Sequence, residues 1–156
     1  MPSVAEIVPA AERLQTIPLN MLPQNFKKTE RLCRRSLIGK LFEKGVSFFE
    51  FPFKIIYLPV DDAELLPPGA PAQVLFTVPK RNHKRAVARN RIKRLMREAY
   101  RRHKAELYGA LQTQNKQLVL VFIYTNREMP EYRQTERKIK LAIHRLIHDI
   151  TKNTTT

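Results

Sequence analysis

A chain of 156 residues carries 29 Lys and Arg against 14 Asp and Glu, a net charge of +15. That length suits one domain with a sizeable core. No apolar run approaches the roughly 18 residues of a membrane span, and a single cysteine, Cys33, excludes an internal disulfide framework and fits a reducing compartment.

The first residues, MPSVAEIVPAAERL, lack a positive segment followed by an apolar one, so no signal peptide is expected and the chain reads as cytoplasmic. Residues 1–24 hold Pro2, Pro9, Pro18 and Pro23 and read as a disordered extension with one helical turn near Ala10 to Leu14. From Thr29 to Lys44, Leu32, Leu37, Ile38, Leu41 and Phe42 predict a short amphipathic helix, with Thr29 as N-cap and Gly45 just past its end. Cys33 falls on it and reads as inert.

Val46 to Val60, VSFFEFPFKIIYLPV, is rich in aromatic and β-branched residues and predicts strand. Pro52 marks an edge, a bulge or a break between two short strands. Phe53, Ile55 and Tyr57 alternate with Lys54, Ile56 and Leu58. Asp61 to Pro71 is a Pro-rich loop. Its acids Asp61, Asp62 and Glu64 have no partner acids nearby in sequence and read as loop charges rather than metal ligands. Gln73 to Val78 is the next strand and delivers the chain into Pro79, Lys80 and Arg81.

The next stretch concentrates the charge. Lys80 to Lys104 holds twelve Lys or Arg and one acid, Glu98, so this segment alone carries +11. Ala88, Ile92, Leu95, Met96, Ala99 and Leu107 recur at the 3.6 period and predict a helix packed on a core. Asn90, Lys93, Arg94, Arg97, Arg101 and Lys104 fall on the other side, an outward row of cations flanked by Arg89 and Arg91. Solvated faces usually mix signs, whereas here only Glu98 is available to pair, with Arg94 and Arg102. Like charges such as Lys93–Arg97 and Arg97–Arg101 cost a few tenths of a kcal/mol each. Lys80, Arg81, Lys84 and Arg85 crowd the helix start, where the macrodipole disfavours cations. Bound phosphate reverses that penalty, so the face reads as a nucleic-acid surface.

The helix is expected to end between Leu107 and Leu111, with Thr113 to Gln117 as a turn. Leu118 to Tyr124, LVLVFIY, predicts a strand buried on both faces. Pro130 suits a helix start, and Ile139, Ala142, Ile143, Leu146, Ile147 and Ile150 predict a second amphipathic helix. His144 and His148 have the spacing of a metal pair but no HExxH or Cys partners, so they read as surface residues. Thr151 to Thr156 reads as a frayed tail. The order α-β-β-β-α-β-α predicts a single α+β domain, residues 25–150, with helices on one face of a small mixed sheet. No Cys–His or Ser–His–Asp arrangement, no GxxxxGK[ST] and no cluster of acids fit for two metals is present, so the residues point to nucleic-acid binding without catalytic residues or a metal site of the protein's own.

ARNRIKRLMREAYR, Ala88 to Arg101, preceded by FTVPKR, Phe76 to Arg81, resembles the RNR motif of the bacterial ribonuclease P protein subunit. The resemblance extends over roughly residues 25–150. It implies a four-stranded sheet with a left-handed β-α-β crossover, against the usual hand. It implies that a catalytic RNA, with its Mg²⁺, removes the 5′ leader from precursor tRNA, while the protein binds both RNAs and no membrane. Matched position by position, Arg89, Asn90, Arg91, Lys93, Arg94, Arg97 and Arg101 are expected on the catalytic RNA. Phe42, Tyr57, Thr77, Lys80 and Arg81 are expected along the leader. The chain departs from the pattern at Ile38, where an aromatic is common, at Pro79, usually polar, and in the longer, more basic connection Asn82 to Arg85. A ribosomal-type structural RNA-binding protein and a protein-only nuclease are the rival readings.

Overall fold

Pro52 divides the aromatic run into a hairpin. β1 (Val46–Glu50) and β2 (Phe53–Pro59) pair antiparallel, and the turn between them carries a cis Phe51–Pro52 bond. The structure is a computed structural model that describes residues 26–60, 66 and 71–154. The expected extension at 1–24 and the acids Asp61, Asp62 and Glu64 lie outside the described residues. The chain begins with a short 3-10 turn, Lys28–Glu30, and continues through α1 (Arg35–Lys44), the hairpin, β3 (Ala72–Thr77), α2 (Ala86–Thr113), β4 (Leu118–Tyr124) and α3 (Tyr132–Thr154). The sheet order is β1-β2-β4-β3. β4 runs antiparallel to β2 and parallel to β3, with α2 as the crossover between the parallel pair. The domain is therefore α+β with a four-stranded mixed sheet, in the expected element order.

Helices cover both faces of the sheet, not one as the sequence predicts. Side chains alternate along a strand, and β2 and β4 are apolar on both sides. Phe53, Ile55 and Tyr57, with Leu120 and Phe122, pack against Ile92, Met96 and Tyr100 of α2 and Ile139, Ile143 and Leu146 of α3. Ile56, Val119 and Val121 face the other way and pack with Leu32, Leu37, Leu41 and Leu66. Full burial of each large apolar side chain is worth roughly 1.5–3 kcal/mol, so the second face needs its own cover, and α1 supplies it.

α1 is shorter than the spacing predicts. After the 3-10 turn the chain is extended: Arg31 forms a parallel bridge with Val74, and the Leu32 N–H donates to the Val74 carbonyl at 3.0 Å. The strap from Phe26 to Leu32 thus docks on β3 before α1 starts, and Cys33 lies exposed in the extended segment rather than on the helix. Gly45 closes α1 as expected, through close approach rather than an unusual backbone angle. A Cβ there would sit 2.3 Å from the Leu41 carbonyl oxygen and 2.5 Å from the Ile56 Cγ2. At the other end of the chain, the expected frayed tail continues as helix through Thr154.

Candidate nucleic-acid interface

α2 is 28 residues long. Its buried side is the predicted stripe, Ile92, Met96, Ala99 and Leu107, joined by Tyr100 and Leu111. Ala88 and Leu95 sit half-buried at its margin. On the other side Asn90, Arg91 and Arg94 are exposed, and Arg89, Lys93, Arg97 and Arg101 are half-buried. No acid lies in the first turn, and Arg85 at the N-cap makes no side-chain cap hydrogen bond. The positive end of the helix is therefore ringed by Lys84 and Arg85, both exposed, in a setting that suits an anion.

The connection from β3 to α2 is anchored. Asn82 Nδ2 donates to the Thr125 carbonyl at 3.1 Å, and His83 Nε2 lies 2.8 Å from the Asn126 carbonyl oxygen. Buried His83 packs its ring 5.8 Å from that of Tyr124, so the unusual stretch Asn82 to Arg85 is a pinned loop end. Arg89 donates from one guanidinium nitrogen to the His83 and Lys84 carbonyls, both at 2.8 Å, which ties the first turns of α2 to that loop. Lys80 and Arg81 precede it and are exposed.

Two expectations on α2 need correction. Lys104 is not part of the outward row: it is 4% exposed, and its ammonium is paired with the Glu30 carboxylate. The strap covers this end of the row, which the helical period alone does not reveal. Glu98 pairs with Arg101 at 2.6 Å and Arg102 at 3.3 Å, one turn ahead of it, rather than with Arg94. Hydrogen bonding from Arg101, above all, holds the Glu98 carboxyl below its usual range. Arg97 is pressed the other way. Burial, with Arg31 and Arg94 behind it, lowers its guanidinium.

The sheet offers a second surface, on the side that α1 covers only in part. The register aligns Phe49, Lys54, Ile123 and Thr77 in one row across β1, β2, β4 and β3. The neighbouring row of Ser47, Ile56, Val121 and Leu75 lies under α1 through Ile56 and Val121. Phe49 is 52% exposed, Lys54 is exposed, and Ile123 and Thr77 are half-buried. Phe42 on α1 is 51% exposed, so its ring is open to a partner. Ile38, one turn earlier, packs partly against the α1-side core. Exposed rings beside a lysine offer stacking and a phosphate partner together.

Tyr57 does not belong to this surface. It is 3% exposed on the opposite face, where its hydroxyl lies 3.4 Å from Asp149 of α3. Burial first, then Asp149, raises its phenol above the ordinary value. The physical reason is one residue of strand parity, which sends Ile56 to the α1 side and Tyr57 away from it. Phe49, Lys54 and Ile123 were not singled out from the sequence. Once Ile56 is placed under α1, the period of two along each strand finds all three.

A helix with a cationic face almost free of acids, together with a half-covered sheet carrying exposed aromatics, defines a nucleic-acid-binding α+β domain. Comparison with known proteins gives the family. Residues 26–147 match the family described as Ribonuclease P, and the chain belongs to that family. It is 32% identical over 123 residues to the ribonuclease P protein component of Porphyromonas gingivalis, covering 79% of this chain and 87% of that one. It is 34% identical over 134 residues to that of Chlorobium phaeobacteroides, covering 81% and 88%. It is 40% identical over 114 residues to that of Chlorobaculum tepidum, covering 65% and 71%. Among solved structures, the Staphylococcus aureus RNase P protein aligns with a TM-score of 0.48 and 17% identity, over 79% of this chain and 95% of that one.

Proposed function

We propose that this chain is the protein subunit of ribonuclease P, which assists a catalytic RNA in removing the 5′ leader from precursor tRNA. The observation that carries the reading is the outward face of α2, where Arg89, Asn90, Arg91, Lys93, Arg94 and Arg97 stand with no acid among them. This face docks on the catalytic RNA. The leader runs along the sheet row and Phe42, with Thr77, Lys80 and Arg81 at its far end. Phe42 and Phe49 stack on successive bases without reading sequence, and Lys54, Lys80 and Arg81 track phosphates. Hydrolysis belongs to the RNA and its Mg²⁺. In this reading the ion's ligands are RNA oxygens and water. The protein lowers the Mg²⁺ demand by neutralising crowded phosphates with fixed cations.

The test is cleavage of a precursor tRNA at low Mg²⁺ by the cognate catalytic RNA, with and without the protein, beside a tube of protein alone. Correct 5′ cleavage restored by the protein, and none by the protein alone, is expected. Binding to the catalytic RNA should weaken with salt at a log–log slope near −4 to −5, roughly 0.7 to 0.9 for each of the six cations Arg89, Arg91, Lys93, Arg94, Arg97 and Arg101. RNA binding without restored cleavage would instead favour a structural RNA-binding protein, and cleavage by protein alone would overturn the division of labour.

A further inference from the structure

The strap brings a cation to α2 that the charge run does not contain. Phe26 packs its ring 6.0 Å from Phe76 and 5.9 Å from Tyr100. Glu30, 3% exposed, takes the Lys104 ammonium, the Tyr108 hydroxyl at 2.6 Å and the Lys27 backbone N–H at 2.5 Å. Gln73 Nε2 donates to the Thr29 carbonyl at 2.9 Å. With its backbone bridged to Val74, Arg31 is fixed in place, and its guanidinium stands 5.8 Å from the centre of the Phe26 ring. Lys104 approaches the same ring from 6.0 Å.

Nearly two turns back along α2 from Lys104 lies Arg97. Its Nε is buried and has no hydrogen-bond acceptor among the described residues. Arg31 and Arg94 both act on it as like charges. The acids nearby are committed: Glu30 to Lys104 and Tyr108, Glu98 to Arg101 and Arg102. A cluster of cations on flexible side chains ordinarily splays into water. A guanidinium nitrogen already out of water cannot recover its solvation that way, and leaving it unpaired is costly. Arg31 reaches this part of α2 through Phe26, whose ring packs on Tyr100 one turn from Arg97. With the nearby acids among the described residues already paired, an anion with several oxygens at fixed spacing suits these guanidinium groups.

We propose that Arg31 of the strap, together with Arg94 and Arg97 of α2, forms a two-element clamp for one backbone phosphate of the RNA partner. The clamp rests on the RNA-binding reading above and adds to it a contact from outside the basic helix. The ion pair of Glu30 with Lys104 positions it, because that pair seats the strap from which Arg31 projects.

The experiment uses the full chain and the catalytic RNA across a salt series. Arg31→Ala should weaken binding by roughly 10- to 100-fold, the range for charge-assisted hydrogen bonds to one phosphate. It should also make the log–log salt slope shallower by about 0.7 to 0.9. Arg31→Lys should keep the slope and recover only part of the affinity, since it keeps the charge and loses the fork. Arg31→Ala combined with Arg97→Ala should cost less than the product of the single effects, because the two share a ligand. Arg133→Ala, an exposed cation on α3, is the control and should change neither quantity. The thermal midpoint of free Arg31→Ala should not fall, which separates lost contact from lost fold. If wild-type protein binds and Arg31→Ala matches it in affinity and slope, the clamp is refuted and the basic-helix reading stands. If the wild type prefers the catalytic RNA no more than an unrelated RNA, that reading fails and the clamp with it.

Discussion

Glu30→Ala tests what seats the strap. Glu30 and Lys104 are both nearly fully buried, and the carboxylate is the acceptor for the ammonium, for the Tyr108 hydroxyl and for the Lys27 N–H. Removing the carboxylate leaves a lysine charge in the interior with aromatic rings as its neighbours, Phe26 at 6.0 Å and Tyr108 at 5.2 Å. Breaking a buried pair from one side costs about 3–5 kcal/mol. In a chain of this size each kcal/mol moves the midpoint by roughly 2–4 °C, so a fall of about 6–20 °C is expected. Lys104→Met should cost less, because the carboxylate keeps two donors and methionine refills the space of the stem. The double variant Glu30→Gln with Lys104→Met should recover much of the loss, since it leaves no charge stranded in the interior and the amide oxygen can still accept from Tyr108. Urea unfolding at constant m-value is the assay. The pH dependence adds a sign. Burial lowers the Lys104 pKa below its ordinary 10.5, although Glu30 raises it in part. The unfolded chain therefore holds this proton more tightly, so the group penalises folding at neutral pH and the penalty fades as pH rises toward 10.5. In Glu30→Ala the compensation is gone, so the deficit should shrink on alkalinisation. A deficit under about 1 kcal/mol, or one larger in Lys104→Met than in Glu30→Ala, would refute the account of the pair.

Phe42→Ala should weaken the affinity for single-stranded leader by about 1–3 kcal/mol while leaving the catalytic RNA bound; Tyr57→Phe should leave leader affinity unchanged, and fluorescence titration with a leader oligonucleotide compares the two. Gly45→Ala should destabilise by about 1–3 kcal/mol in thermal melts, because its methyl group meets the Leu41 carbonyl and the Ile56 side chain; an unchanged midpoint would mean that α1 is loosely held. All five tyrosines, Tyr57, Tyr100, Tyr108, Tyr124 and Tyr132, are raised above the ordinary value of 10.0, chiefly by burial. The unfolded chain therefore loses phenol protons first, stability falls as pH climbs past 10.0, and phenolate absorbance should rise together with the loss of circular dichroism rather than before it.

The basic helix is legible because its two signals agree: one apolar stripe at the helical period and cations elsewhere. Pro52 is legible as a break because proline cannot donate to a ladder. Lys104 is not, because a helical wheel contains no information about a strap arriving from 74 residues earlier in the chain. Tyr57 fails for a different reason. Phe53, Ile55 and Tyr57 are apolar, but so are Ile56 and Leu58, and a strand apolar on both faces gives no clue to which face meets α1. The end of α3 extends past the expected tail since Thr151 to Thr154 contains neither Gly nor Pro to stop it. Arg31 falls within the stretch Thr29 to Lys44 predicted as helix, and only the extended backbone at Arg31 and Leu32 places it on β3.

The strap's bridge to β3 also bears on how this chain behaves in a crowd. An open sheet has two outer strands, and each exposes a row of backbone donors and acceptors that another chain can pair with. Here the outer strands are β1 and β3. Arg31 and Leu32 occupy part of the β3 border with main-chain pairing to Val74, so that side is partly closed to a stranger. The other border is β1, five residues that end at a proline-containing turn. Losing the strap would remove Arg31 and would also reopen the sheet at β3.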